Sequence, residues 1–351
     1  DMKQSQLFGK TLKTIPKDEV SRNAELLIRG GFIDKLMAGA YSYLPLGYRV
    51  LDKIKNIIRE EMNAMGGQEL FMPALQPKAL WEETGRWTDP GKAVMFQFKG
   101  REDKDYGLGW THEEVIVDIA RKRVSSYKDL PFALYQIQDK FRDEPRAKSG
   151  LLRGKEFSMK DLYSFHATEE DLLNFYEKSK IAYLNVFRRC GLDALVAEAS
   201  GGAFSKDYSH EFQVLTPFGE DNNFYCPHRD FAQNKEIAKV KAGEKCPSCG
   251  GAITEKKAIE VGNIFKLYTK YSAPMKLQFT DPVGKKKDVM MGCYGLGPSR
   301  VMGAIAEVHN DKNGLIWPKG VAPYQVHLLT LGESQEIVAT GVILYNHLLQ
   351  I

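Results

Sequence analysis

The sequence predicts an α+β fold, with a mainly antiparallel sheet flanked by helices. Many short strand-like runs are interspersed with helical ones, without the regular alternation of a parallel α/β sheet. At 351 residues, 43% of them apolar, the chain can bury a large core and has the length of two or three domains. No G-x-x-x-x-G-K-[ST] loop occurs and no G-x-G-x-x-G follows a first strand, so a bound nucleotide would need another device.

Residues 47–65 carry apolar side chains at helical spacing, at Val50, Leu51, Ile54, Ile57, Ile58, Met62 and Met65, and Gly66-Gly67 ends the pattern. Residues 68–72 read as a strand running into Pro73, which has no amide hydrogen to give to a ladder. Strands are expected at 94–98 and after Asp105, around a charged turn, and Thr111 precedes a helix over 112–125. Residues 134–138 and 156–160 read as strands on either side of a basic, glycine-containing loop. A long helix follows over 168–189, with Thr168 as its cap and Asp171 in its first turn.

Shorter strands are expected at 194–197, 211–215, 222–225, 258–267 and 289–291. The glycine-rich 292–297 reads as a strand-to-helix turn feeding a helix to about His309. After Trp317-Pro318-Lys319-Gly320 the character changes, with a strand expected over 321–329 and a helix over 333–349. One strand and one helix cannot close a core, so 321–351 are expected to begin a second domain and leave it incomplete.

A formal net charge of +4 permits a polyanionic partner without demanding one, because local basic surface matters more than the total. No apolar run is long enough to span a bilayer and no secretory signal follows Asp1-Met2-Lys3-Gln4, so no membrane partner is expected and the cytoplasm is the expected compartment. Cys190 and Cys293 stand apart while Cys226, Cys246 and Cys249 share one short segment. That clustering poses a metal question and excludes a secreted disulfide scaffold.

The most chemical stretch is the basic hairpin, where Lys140, Arg142, Arg146, Lys148, Arg153 and Lys155 face only Asp143 and Glu144. Guanidinium forks match phosphate oxygens bidentately, and an anionic transition state at phosphorus needs such donors. A solvated charged hairpin has the same composition. Phe141-Arg142-x-Glu144, with the later Arg153-x-x-Glu156-Phe157, resembles the second signature motif of the class II aminoacyl-tRNA synthetases, specifically bacterial-type prolyl-tRNA synthetases.

That resemblance implies the class II catalytic fold over residues 1–320 and an ATP-dependent proline–tRNA ligase. Arg142 would contact the ATP α-phosphate and the proline carboxylate, Glu144 the adenine amino group, and Phe157 would stack on the purine, with Arg153 also among the ATP-binding residues. The loop over 145–154 would reach the acceptor end of tRNA(Pro). Gly292-Cys293-Tyr294-Gly295-Leu296-Gly297-Pro298-Ser299-Arg300 resembles the third motif, which implies Arg300 on the β- and γ-phosphates. By itself such a turn is more often structural than catalytic. Residues 47–65 with 68–73 resemble the first motif, which implies a homodimer.

Thr111-His112-Glu113 at a helix start can aim a hydroxyl and a carboxylate at a cationic imino group. The same pattern serves as a helix cap. The resemblance implies proline-amine recognition there, and extends through Trp110, 135–138, 160–166 and Ser209-His210-Glu211-Phe212. His210 is expected near the proline ring or carboxylate and Phe165 on the pocket wall, although both residue types are also common packing residues. Arg142 and Arg300 are the expected catalytic pair, with Mg²⁺ accompanying ATP and Glu198 and Glu211 facing it. Around 199–207 the chain departs from the commonest family pattern, so no ribose contact is carried over. Retention of Thr111, Glu113, Arg142, Glu144, Phe157 and Arg300 together argues against an inactive relative.

Bacterial members of this family commonly hold a large editing domain between the second and third motifs. Residues 216–258 are too few for one, so cis-editing of mischarged alanyl-tRNA is expected to be absent. What remains is Cys226-Pro227-His228-Arg229-Asp230 and Cys246-Pro247-Ser248-Cys249-Gly250. Two thiolates on a tight turn can share a tetrahedral zinc, with Cys226 as third ligand and His228 or Asp230 as fourth. Arg229 breaks a second Cys-x-x-Cys, so a decayed knuckle held by turn packing stands as the alternative.

Overall fold

A computed structural model describes residues 3–14, 19–145, 147, 149–332 and 334–350. Arg146 and Lys148 of the basic hairpin, and residue 333 at the expected start of the last helix, lie outside them.

Nine strands form the main sheet: β1 (Gly67–Glu69), β2 (Phe132–Phe141), β3 (Glu156–His166), β4 (Ala194–Ala199), β5 (Ser209–Leu215), β6 (Asp221–Tyr225), β7 (Ala232–Asn234), β8 (Thr254–Tyr268) and β9 (Met290–Leu296). Their order is β5-β4-β7-β6-β8-β9-β3-β2-β1, and β5 also pairs with β8. Only β4–β7 and β1–β2 are parallel among these neighbours. The expected antiparallel α+β architecture is the observed one.

The named helices are α1 (Arg22–Arg29), α2 (Pro45–Ala64), α3 (Glu113–Arg121), α4 (Glu169–Arg189), α5 (Pro298–Val308) and α6 (Gln335–Leu348). The stripe on α2 is buried at Val50, Leu51, Ile54, Ile57, Ile58 and Met62, as its periodicity predicts. On α4 the buried face runs Leu172, Tyr176, Ala182, Tyr183, Val186 and Phe187, and Thr168 accepts a hydrogen bond from the Asp171 amide. Both helices cover one face of the sheet in the largest core cluster. The opposite face of β2, β3, β8 and β9 is covered in part by a second core cluster around α3 and residues 271–279, and the remainder holds a cleft.

Several local expectations are corrected. The strand expected over 68–72 is β1 alone; the Met72 amide instead donates to the Gln136 side chain at 3.0 Å, and Gln138 donates to the Met72 carbonyl at 2.5 Å. Residues 94–98 divide between a short helix, Gly91–Val94, and a strand, Gln97–Lys99. The helix after Thr111 stops at Arg121. Residues 292–296 are strand, not turn, and only Gly297 caps α5, with Pro298 in its first turn. Among the described residues 321–329 form no strand, since alternating apolar residues need a partner edge to become one. Helix α6 buries none of its side chains.

Candidate active site

Beside that second cluster, the same face of the sheet holds a cleft of about 340 Å³. Period-two alternation decides which residues reach it. On β3 the lining side chains are Phe157, Met159, Asp161 and Tyr163, and their antiparallel partners bring Cys293, Gly295 and Asn263 to the same face. A side chain at Gly295 would project into open space beside the Asn263 carbonyl, so glycine here keeps the cleft wide.

Arg142, at the end of β2, and Arg300, in the first turn of α5, both line the cleft. Among the described residues the Arg142 side chain makes one long hydrogen bond, 3.5 Å to the Trp110 carbonyl, and its Nε has no partner. Its guanidinium carbon lies 5.1 Å from the Phe157 ring centre. Burial first, and then the charge of Arg300, push Arg142 down to about 10. Arg300 donates to the Glu260 carboxylate at 3.0 Å. Two guanidinium groups near enough to repel, one with a spare buried donor, form a site for an anion.

Arg153 lies beside them but bridges two acids, Glu144 at 3.4 Å and Glu220 at 2.6 Å. It holds the Glu144 carboxylate in place at the cleft wall.

At one end of the cleft Glu113 is wholly buried. It accepts from the Thr111 hydroxyl at 2.5 Å and the Cys293 thiol at 3.3 Å, and Arg86 donates to it at 3.2 Å. Thr111 makes no capping bond; residue 112 occupies the cap position and no side chain caps α3. The capping alternative for Thr111-x-Glu113 therefore gives way to a carboxylate pocket. Arg86 also donates to Glu114 at 3.0 Å and sits among the rings of Trp81, Trp110, Phe204 and Tyr271. Desolvation, with the Glu113 charge beside it, raises the Glu114 carboxyl.

The structure does not bring every expected residue here. His210 alternates to the other face of β5, with Phe212, and its ring nitrogen meets the Tyr176 hydroxyl of α4 at 2.8 Å. Phe165 lies on the correct face of β3 but one pleat past the cleft, stacked on Phe132 at 4.6 Å. Glu198 pairs in register with His210, so it shares that other face, where Gln233 donates to it at 2.8 Å.

Glu211 is on the cleft side, accepting from Gln213 at 2.8 Å and Asn234 at 3.1 Å. Burial and the Glu260 charge push its carboxyl up to about 8. The surplus of negative charge at Glu211 and Glu260 suits a divalent cation.

A family model for the tRNA synthetase class II core domain (G, H, P, S and T) matches residues 96–309. A protein from Bacillus cytotoxicus called proline–tRNA ligase is 34% identical, over 96% of this chain and 86% of its own length. One from Sulfurihydrogenibium with the same name is 35% identical, over 99% of this chain and 87% of its own.

The chain belongs to the proline–tRNA ligase family.

These are class II synthetases, ATP-dependent ligases. Solved prolyl-tRNA synthetases share the fold. A Giardia lamblia enzyme in complex with prolyl-adenylate superposes with a TM-score of 0.67 at 20% identity, covering 83% of this chain and 53% of that one. A Cryptosporidium parvum enzyme with L-proline and AMP gives 0.70 at 16%, covering 91% and 59%. The chain thus spans little more than half the length of those solved relatives.

For a proline–tRNA ligase, sequence reasoning missed Arg86, Phe204, Tyr163, Cys293 and Asn263, which border the Glu113 pocket or line the cleft. Arg86 stands in a Gly85-Arg86-Trp87 stretch that matches no motif, Phe204 arrives from a turn packed on Trp110 and Phe265, and Tyr163, Cys293 and Asn263 arrive through pairing between distant strands. Two of them stand in stretches that carry a signal, Tyr163 within the resemblance over 160–166 and Cys293 within the third-motif resemblance, although neither is given a role there.

Proposed function

We propose that this cleft activates L-proline with ATP and then transfers it to the 3′ end of tRNA(Pro). The observation that carries the reading is the joining, in one cavity, of a buried carboxylate pocket at Glu113 to the guanidinium pair Arg142 and Arg300.

The proline secondary ammonium would enter beside Glu113 and Thr111, with Phe204 on the ring side, while its carboxylate meets Arg142. A carboxylate oxygen attacks the α-phosphorus in line, a new phosphorus–oxygen bond forms, and pyrophosphate leaves with the electron pair of the broken one. Arg142 offers donors to the α-phosphate and Arg300 to the leaving phosphates, where charge builds. Phe157 stacks the purine and Glu144, held by Arg153, accepts from its amino group. In the second step a terminal ribose hydroxyl of the tRNA attacks the prolyl carbonyl and AMP departs. No side-chain nucleophile is needed; orientation and electrostatics supply the rate.

Glu211 and Glu260 are the residues that would hold Mg²⁺ accompanying ATP, which neutralises phosphate charge when bound. Glu198 is dropped from that role by its face of the sheet.

A homodimer through the α2–β1 region is supported by the open sheet edge at β1 and by Phe71 just beyond it, 77% exposed. Residues 321–351 fit the start of an anticodon-binding unit, with no side chain of α6 buried among the described residues. Absence of cis-editing is supported by residues 216–258, which add two short strands and a cysteine-bearing pair of turns to the main sheet. The aligned span with the Bacillus cytotoxicus relative, 485 positions, exceeds the 351 residues of this chain, so that relative carries segments without counterpart here. No helix among the described residues is long and apolar enough to cross a membrane. The cytoplasm, where tRNA is charged, is the compartment this reading assigns.

Charging of tRNA(Pro) with labelled proline tests the reading. ATP- and proline-dependent charging is expected. Adenylate formation without any transfer to tRNA would assign the activated proline to another acceptor.

A further inference from the structure

Two turns in the segment that replaces an editing domain run side by side. Cys226-Pro227-His228-Arg229-Asp230 follows β6, and Cys246-Pro247-Ser248-Cys249-Gly250 precedes β8. All three cysteines are free thiols. Their sulfurs and an Asp230 carboxylate oxygen all lie within 4.8 Å of one another. The Cys226 and Cys249 sulfurs are 3.4 Å apart, and Cys246 reaches Asp230 at 3.6 Å. Two thiolates at the usual ~2.3 Å from a tetrahedral zinc stand roughly 3.8 Å apart, a little above the 3.4 Å between the Cys226 and Cys249 sulfurs and inside the 4.8 Å limit of the group, so small side-chain shifts make room for the ion.

The break in the first half, Arg229 where a second Cys-x-x-Cys would place cysteine, has a backbone explanation. In the second turn the chain reverses at Gly250, with φ of 76°. In the first it reverses one residue earlier relative to its leading cysteine, at Arg229, with φ of 66°. The earlier reversal turns Arg229 outward, where it pairs with Asp193 at 2.5 Å, and brings the next residue, Asp230, to the thiols. His228 lies at the margin: its Nδ1 is 3.3 Å from the Cys249 sulfur, yet it is not among the four ligand atoms that are all mutually close.

We propose that Cys226, Cys246, Cys249 and Asp230 form a structural zinc site, with His228 outside the ligand set. Three thiolates and a carboxylate supply four donors of types that zinc accepts, enough to close a tetrahedral site with no position left for water. The need for it is local. The apolar cluster under the turns is only Phe224, Cys226, Cys246 and Ile253 with Phe231, Ala238 and Val240 against it. So small a core needs a staple. Strand β7 leaves this knuckle directly and its Asn234 donates to Glu211, which shares the cleft-facing side of the sheet with its partner Asn263, so the metal fixes a strand that borders the active site.

Metal analysis of the full chain, purified without chelator or affinity metal, tests the site. About one zinc per chain is expected, lost in Cys246→Ser and reduced at least tenfold in affinity in Asp230→Ala, and retained in His228→Ala. To guard against zinc lost in purification or a variant that misfolds, metal-free wild type is titrated with Co²⁺. A tetrahedral cobalt–thiolate spectrum saturating at one equivalent supports the site, and a folded protein giving no such spectrum overturns it. Loss of metal in His228→Ala with retention in Asp230→Ala would overturn the ligand assignment.

Discussion

Arg86 reaches Glu113 at 3.2 Å and Glu114 at 3.0 Å through the same nitrogen, so two buried carboxylates share one guanidinium. One guanidinium cannot neutralise two carboxylates, and desolvating the remainder is costly. The pocket therefore favours a ligand that brings its own positive charge, and the secondary ammonium of proline does so.

Glu113→Gln keeps the shape and removes the charge. A hydrogen bond to a charged group contributes about 1.5–3 kcal/mol, so kcat/KM for proline should fall roughly ten- to a hundredfold. The KM for ATP should change little. An equal loss against both substrates would argue that Glu113 acts through folding.

Arg86 touches no ligand in this account, yet its loss leaves both acids unpaired. Arg86→Met should cost about 3–5 kcal/mol in denaturant unfolding. Adding Glu114→Gln should restore part of that, because the residues are directly coupled. Additive losses in the double variant would show that the ion pair is not what Arg86 contributes.

Arg142→Lys retains a charge but not the planar fork. Adenylate formation should slow about 10²- to 10³-fold, chiefly in kcat. Arg153, already engaged by Glu144 and Glu220, should tolerate lysine with a markedly smaller loss. Equal effects at both positions would contradict the placement of Arg142 at the reacting phosphate.

His210 offers a test of strand parity. Burial first, then Lys180 and Lys266, holds it down at about 3 against an ordinary 6.5. Between those values the unfolded chain binds a proton that the folded chain refuses, so stability falls as pH drops from 6.5 toward 3. The slope from this group is at most about 1.4 kcal/mol per pH unit. His210→Asn should flatten that part of the pH–stability curve and leave the proline KM unchanged. A raised proline KM would return His210 to the pocket.

Local pattern made part of this legible. The spacing of Val50, Ile54, Ile57 and Ile58 declares α2, and the Thr111-x-Glu113, Arg142-x-Glu144 and Arg300 stretches mark residues that do share one cleft. Register was not legible. Glu211 and His210 are adjacent in sequence and fall on opposite faces of β5; Glu198 follows His210 because β4 pairs with it. Phe165 fails by one pleat, a distance fixed by where β9 and β2 meet β3. Arg86 was invisible because its importance comes from acids 27 and 28 residues away and from a ring of aromatics gathered by tertiary packing.

Proline-dependent exchange of labelled pyrophosphate into ATP tests the central claim most directly, since it reads adenylate formation without requiring tRNA. Exchange is expected with L-proline, far weaker with alanine, and abolished or nearly so in Arg142→Ala. A folded protein with no proline-dependent exchange, or an Arg142→Ala variant that exchanges as fast as the parent, would contradict it.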